Sequence, residues 1–284
     1  MDELSGFTHT MSDKLFSRFS QFIHTELGIK MPEAKKTMLQ ARLQKRLRKL
    51  GIKSFDAYYD YVFSSRGMKE ELHLLIDVVT TNKTEFFREP RHFDYLCQKV
   101  LPEVIHTNKA GPAKKTMLWS AGCSSGEEVY TLAMVLNSFS VTRPGFDFCI
   151  LGTDICTESL EEGAAGIYTH ERIEPVPVQM RKKYLLKSRD RTKNLVRIIP
   201  ELRAKVIFRR LNFMSHQFSM KESMDIVFFR NVLIYFDRPT QEKVLNNICR
   251  HLKPNGYLFT GHSETLNGLD IPLTPVVSTV YRKM

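Results

Sequence analysis

Residues 119–128 read WSAGCSSGEE. The small residues from Ser120 to Gly126 permit a tight turn, and a helical apolar pattern at Val129, Leu132, Ala133, Val135 and Leu136 follows. Strand, glycine turn and helix start together make the cradle of a nucleotide cofactor. Yet Glu127 and Glu128 open that helix, and a helix N-terminus that receives phosphate has no use for carboxylates of its own. Another acid, Asp154, ends the apolar stretch FCILGTD, where dinucleotide folds take a ribose diol. The pattern GxGxxG is absent, which speaks against a nicotinamide dinucleotide. A cofactor with hydroxyls and an ammonium group but no phosphate fits, because carboxylates accept hydrogen bonds from both. S-adenosylmethionine is such a molecule. Glu128 is the candidate ligand of the pair, and Glu127 reads as a helix-dipole or surface acid.

The elements that must position these acids alternate from residue 116 onward. Strand candidates are 116–121, 147–153, 204–211, 225–231, 256–261 and 278–282; helices fall near 126–138, 157–163 and 239–252. This rhythm predicts an α/β fold with a doubly wound, Rossmann-like parallel sheet. Segment 166–202 breaks it. Two prolines, a helical piece near 177–186 and the polar turn KSRDRTKN between two apolar runs predict an inserted antiparallel β-subdomain.

The first 80 residues predict an all-helical bundle. Ser12 and Ser54 are N-cap candidates, and Gly51 is a C-terminal stop. Apolar faces recur at Phe16, Phe19, Ile23 and Leu27, then at Leu39, Leu43, Leu47 and Leu50. The second of these helices also carries Arg42, Lys45, Arg46 and Lys49 at i, i+3, i+4 and i+7, with Arg48 beside them. That spacing predicts one exposed basic stripe suited to an acidic helix. The division expected is 1–80 for the bundle, 81–95 for a linker contributing to the cofactor site, and 96–284 for the sheet domain with its insertion at about 166–202.

At 284 residues and 42% hydrophobic content, the chain buries a sizeable core. No run of about 18 apolar residues is present, so no membrane-spanning helix is expected. The start MDELSGFTHTMSDK lacks the pattern of a signal peptide. Five cysteines, none in CxxC spacing, speak for reduced thiols in a cytoplasm and against a zinc or other metal site. The net charge of +11 is concentrated: residues 181–210 hold 12 basic residues against 2 acids. Such a patch points to an acidic partner.

Five blocks in order, TTNKTEFFRE (80–89), WSAGCSSGEE (119–128), LGTDI (151–155), RNVLIYFD (230–237) and GYLFTGHSE (256–264), resemble the signature blocks of chemotaxis receptor glutamate O-methyltransferases of the CheR type. The resemblance implies S-adenosylmethionine as methyl donor and receptor glutamates as acceptors. It implies that Asn82, Thr84 and Arg88 border the cofactor, with Arg88 near the methyl-transfer site. It places Glu128 and Asp154 as the cofactor acids and Asn212 and Phe213 beside the adenine. It sets Asn231 and Val232 at the tip that closes the pocket. Arg88 and Tyr235 are the candidates for holding the substrate carboxylate. The partners implied are methyl-accepting chemotaxis receptors; the basic stripe, read from its spacing, is the expected grip on their acidic helices. Some relatives also add a receptor tail peptide as a strand to the inserted hairpin; their hairpin turn is glycine-rich, whereas KSRDRTKN has no glycine.

Two rivals are weighed. An RNA methyltransferase shares the cofactor and suits the charge. However, the place of the Asn/Asp-Pro-Pro-aromatic block reads RNVLIYFD, and stacking motifs are missing. A non-catalytic signalling module would have no reason to keep Asn82, Arg88, Glu128 and Asp154 together. His262-Ser263 lacks the surrounding G-x-S-x-G of a hydrolase and reads as a tight turn or a supporting pair.

Overall fold

The computed structural model describes residues 10–107, 115–190 and 192–284. Arg191, part of the polar hairpin turn, lies outside the described residues.

Five helices build the N-terminal bundle: α1 (Asp13–Leu27), α2 (Lys36–Leu50), α3 (Phe55–Val62), α4 (Gly67–Glu70) and α5 (Leu72–Val79). Ser12 and Ser54 accept the amides of Leu15 and Ala57, each at 3.2 Å, which satisfies donors that the first helical turn leaves open. Phe19, Ile23, Leu39, Leu43, Tyr58 and Leu75 meet in a core of their own. The last helical stretch of the bundle is split into two pieces, α4 and α5.

The basic stripe of α2 does not all face solvent, and the expectation for Arg42 and Arg46 is corrected. Arg46 is only 8% exposed. Its Nε and Nη2 donate to the two Glu71 oxygens at 2.7 and 2.6 Å, and the Tyr58 hydroxyl joins Glu71 at 2.9 Å. A forked guanidinium–carboxylate pair inside a bundle is a structural tie, not a docking group. Arg42 donates to the carbonyls of Val79 and Thr80, both at 2.8 Å, and so closes the C-terminal end of α5. Lys45, Arg48 and Lys49 remain exposed.

Between bundle and sheet run α6 (Arg91–Tyr95), a π-helical turn (Leu96–Val100) and α7 (Leu101–Thr107). Then β1 (Thr116–Ala121), α8 (Glu127–Val141), β2 (Phe148–Asp154) and α9 (Thr157–Ala165) alternate as expected. The insertion follows as β3 (Ile167–Thr169), α10 (Val178–Tyr184), β4 (Leu185–Lys187) and β5 (Leu195–Ile198), in a three-stranded antiparallel sheet ordered β3-β5-β4. After α11 (Pro200–Arg203) come β6 (Val206–Arg210), β7 (Met224–Phe229), α12 (Arg238–His251), β8 (Leu252–Thr260), β9 (Leu273–Val277) and β10 (Val280–Lys283).

The large sheet runs β6-β2-β1-β7-β8-β10-β9, parallel through β8 and antiparallel at β10 and β9. Neighbouring side chains leave on opposite faces, so Leu118, Ile226 and Phe228 pack with α8 while Trp119, Val227 and Phe229 pack with α12. Burial on both faces is why these strands read as continuous apolar runs. The chain turns from β1 towards β2 on one side and towards β7 on the other, and a crevice opens at that switch point, at the carboxyl ends of the strands.

The bundle is fastened over this crevice. Asp77 in α5 accepts the amides of Thr157 and Glu158 at 3.0 and 3.3 Å and thereby caps α9, whose own cap position, Cys156, offers no side-chain acceptor. Lys30 N–H donates to the Tyr235 carbonyl at 2.9 Å, and His24 Nε2 lies 3.1 Å from Asp237.

Candidate active site

The crevice is a cavity of about 420 Å³, within the range of about 300–1,000 Å³ common to small-molecule sites. The ends of β1, β2 and β7 form its floor; Leu27, Ile29 and Met31 of the bundle and the segment 79–88 form its roof.

The turn after β1 is set by backbone bonds. The amides of Gly122 and Cys123 both donate to the Thr153 carbonyl, at 2.7 and 2.9 Å, which ties the β1 turn to the end of β2. Gly122 has φ of +77°, and a Cβ there would stand 2.5 Å from Val232 Cγ2. The loops at 122 and 232 therefore touch, and only glycine lets them. Ser124, at φ 49°, turns its amide onto Asp154 Oδ2 at 2.8 Å, while Cys156 N–H donates to Oδ1 at 3.0 Å. Burial raises the Asp154 pKa against these two amide bonds. Each oxygen keeps a lone pair for a further donor.

Glu128 accepts from Ser120 Oγ at 2.7 Å and from Arg230 Nη1 at 3.2 Å. Burial pushes its pKa up, and Arg230 pulls it back. Glu127 is no surface acid: it is 1% exposed and paired with Arg172, whose Nη2 also donates to Ser125 Oγ at 2.7 Å. Tyr168 of β3 donates to the Ser125 carbonyl at 2.7 Å. Two side chains of the inserted subdomain thus hold the turn between β1 and α8.

Arg88 borders the cavity between two residues in the left-handed region, Phe87 (φ 55°) and Glu89 (φ 56°). Asn231 (φ 60°) and Ser124 (φ 49°), which line the cavity, share this conformation with the two neighbours of Arg88. Each costs on the order of 1–3 kcal/mol and persists only where its surroundings impose it. Buried Arg230 imposes much of this: Nη2 donates to the Arg88 carbonyl at 2.5 Å and to Glu89 Oε2 at 3.0 Å. Burial raises the Glu89 pKa, but Arg230 and the His262 amide outweigh it and leave it lowered. The guanidinium of Arg88 itself makes a long bond, 3.5 Å, to the Lys83 carbonyl.

All ten of the expected cofactor and catalytic residues line this cavity: Asn82, Thr84 and Arg88 above, Glu128 and Asp154 on the floor, Asn212, Phe213, Asn231, Val232 and Tyr235 along the far wall. Asn212 has its amide engaged, with Nδ2 donating to the Glu26 carbonyl at 2.8 Å and Oδ1 accepting Met214 N–H at 2.9 Å. Phe213 stands edge-on to Phe229 with centroids 5.1 Å apart. The four lysines and arginines of the α2 stripe are not among the lining residues.

Residues 14–80 match the CheR methyltransferase all-alpha domain, and residues 82–282 match the CheR methyltransferase SAM binding domain. The chain belongs to the CheR methyltransferase family. It is 37% identical to a chemotaxis protein methyltransferase of Borreliella burgdorferi (94% of this chain, 93% of the relative). It is 36% identical to one of Escherichia coli (95% and 91%) and 33% identical to chemotaxis protein methyltransferase 2 of Pseudomonas aeruginosa (97% and 94%).

This CheR methyltransferase is therefore S-adenosylmethionine-dependent, and its cavity suits that cofactor chemically. The acceptors at hand, Asp154 and Glu128, are anionic, as hydroxyl and ammonium donors require and as phosphate would not tolerate. Among the described residues no helix is long and apolar enough to cross a membrane.

Two functional groups of this CheR chain went unremarked in the sequence. Arg230 opens the quoted block RNVLIYFD, and a charge at the end of an all-buried strand was its signal. Glu264, in GHSE, accepts the amides of Asn231 and Gly261 at 2.9 and 2.7 Å and so fixes the loop that carries Asn231, Val232 and Tyr235.

Proposed function

We propose that this protein methylates side-chain carboxylates of glutamates on chemotaxis receptors, forming glutamyl methyl esters. Its relatives named as chemotaxis protein methyltransferases support the receptor as partner. The observation that carries the glutamate is Arg88. It puts into the cavity a guanidinium whose hydrogen bond to the protein, 3.5 Å to Lys83 O, is long enough to be exchanged for a carboxylate.

S-adenosylmethionine, when bound, supplies a methyl carbon made electrophilic by its sulfonium. Asp154 takes the ribose hydroxyls, while Glu128, Asn82 and Thr84 receive the amino-acid end. Phe213 and the segment at Asn212 flank the base, the latter by its backbone, since its amide is engaged. Asn231 and Val232 close the pocket. Arg88 and Tyr235 hold the glutamate carboxylate in line with the methyl group. That carboxylate, with a reference pKa of about 4.3, is ionised at neutral pH and needs no general base. Alignment and exclusion of water then supply the acceleration, roughly 7–11 kcal/mol in favourable cases.

In this reading residues 1–80 meet the receptor through Lys45, Arg48 and Lys49, without Arg42 and Arg46. Residues 81–95 carry Arg88, and 96–284 hold the cofactor in a cytoplasmic enzyme. The β4 edge of the inserted sheet is the place for a receptor tail. The test is incubation with methyl-labelled S-adenosylmethionine and receptor cytoplasmic fragments. Esters release volatile methanol in alkali. Label that survives strong base, or that enters RNA and not receptor, overturns the proposal.

A further inference from the structure

Next to Arg88 in the chain, Glu89 converges with His92 and His262. Glu89 Oε2 stands 3.4 Å from His92 Nδ1 and 3.9 Å from His262 Nε2, and the three ligand atoms all lie within 4.8 Å of one another. Nitrogen and oxygen ligands at about 2.0–2.1 Å from a tetrahedral zinc-type ion stand about 3.4 Å apart. One edge of such a tetrahedron is already present and a second is close.

His92 gives the second, independent indication. It is 4% exposed, and its Nδ1 has no hydrogen-bond partner. Its other nitrogen, Nε2, lies 2.7 Å from Thr279 Oγ1, and that hydroxyl lies 2.6 Å from the Ser278 carbonyl. A carbonyl only accepts, so the hydroxyl donates to it and Nε2–H donates to the hydroxyl. The Nδ1 lone pair is then left pointing at a carboxylate. The bare nitrogen and the carboxylate face each other across 3.4 Å, and the positive charge on that carboxylate oxygen comes from its other side-chain partner, Arg230 Nη2, at 3.0 Å. A histidine whose outer N–H is held by a neighbour while its inner nitrogen is bare has the form of a metal ligand.

We propose that Glu89, His92 and His262 form a binding site for a divalent transition-metal ion, with its fourth position open to solvent beside His262. Two imidazoles and one carboxylate select zinc, cobalt, nickel or copper over magnesium and calcium. The His262 side chain, 57% exposed, gives the entry path. Arg230, 3.0 Å from Glu89 Oε2, opposes a second positive charge and sets the affinity below that of a structural zinc site. The ion would join the turn at 261–264 to the residue that follows Arg88, so metal occupancy and the aim of Arg88 are linked.

The test uses the full chain, freed of metal, titrated with zinc by calorimetry and with cobalt by visible absorption. One ion per chain with the absorption of tetrahedral cobalt is expected. His262→Ala should lower the affinity by at least about 10-fold, and this exposed position puts folding at no risk. His216→Ala, exposed elsewhere on the surface, should leave it unchanged. Absence of binding, or equal affinity in wild type and His262→Ala, overturns the proposal.

Discussion

Arg230 answers two acids whose pKa values move in opposite directions. Glu89 is held below the ordinary carboxylate range, whereas Glu128, deeper in the protein and nearer the expected amino group, is raised. A carboxylate only partly neutralised by its own protein keeps attraction for a cationic ligand. Asp154 is the simpler case, because its protein partners are backbone amides. Asp154→Asn should weaken S-adenosylmethionine binding by about 10- to 150-fold, equivalent to roughly 1.5–3 kcal/mol for bonds to a charged acceptor. Calorimetry on the folded variant measures it, and unchanged affinity would remove Asp154 from the ribose. Arg88→Ala should cut methyl transfer by at least about 100-fold while the melting temperature moves little, since the side chain makes only a long bond. Turnover close to wild type would make Arg88 a wall residue.

At the scale of elements, α2 was legible as a helix but not in its allegiances. Arg46 follows Leu39 by seven residues and Leu43 by three, so it belongs to the border of the leucine face as much as to the basic stripe. Periodicity assigns residues to a stripe; only the fold reveals that Glu71 waits opposite Arg46. Breaking a buried pair leaves a bare charge, so Arg46→Ala should cost about 3–5 kcal/mol of stability, read from urea unfolding. A loss below about 1 kcal/mol would mean that the pair behaves as a surface contact. The parallel strands were legible because burial on both faces writes continuous apolar runs. β9 was missed because it is an edge, with Pro275 inside it and Val276 and Val277 exposed, and β3 because three residues carry no period. The two cavity-lining acids Glu128 and Asp154 were legible because they sit at the start of a helix and the end of a strand that the sequence marks. The Arg230–Glu89 pair was not, because 141 residues separate its members. Asp237 caps α12, and bonds from Thr240, then His24, bring its pKa down to about 2. A depressed carboxylate stabilises the fold above its ordinary value of 3.8 and loses that contribution as pH falls through about 2. Asp237→Ala should therefore cost about 0.5–2 kcal/mol at neutral pH. Its deficit against wild type should close between about pH 4 and 2; a deficit constant over that window would assign the cost to something other than the carboxylate.

Across the whole molecule the excess of positive charge is partly spent. Arg209 pairs with Glu222 and Lys205 with Asp147 inside the basic cluster. Lys45 and Lys49 stay exposed, and no ion pair involves either among the described residues. Reversing both to Glu should raise the KM for receptor without altering cofactor affinity. It should also flatten the salt dependence of the rate, since the Debye length falls from about 10 Å at 0.1 M to about 3 Å at 1 M salt. Wild-type KM at low salt in that variant would move the receptor contact to residues 181–210. The cap that Asp77 lends to α9 has another outcome. The amide protons of Thr157 and Glu158 belong to the sheet by sequence but to the bundle by bond. In heavy water they are free to exchange only when Asp77 lets go, so their protection should follow the opening of α5 instead of their own helix. Two deuterium clocks at the edge of the cofactor floor would thus keep the bundle's time.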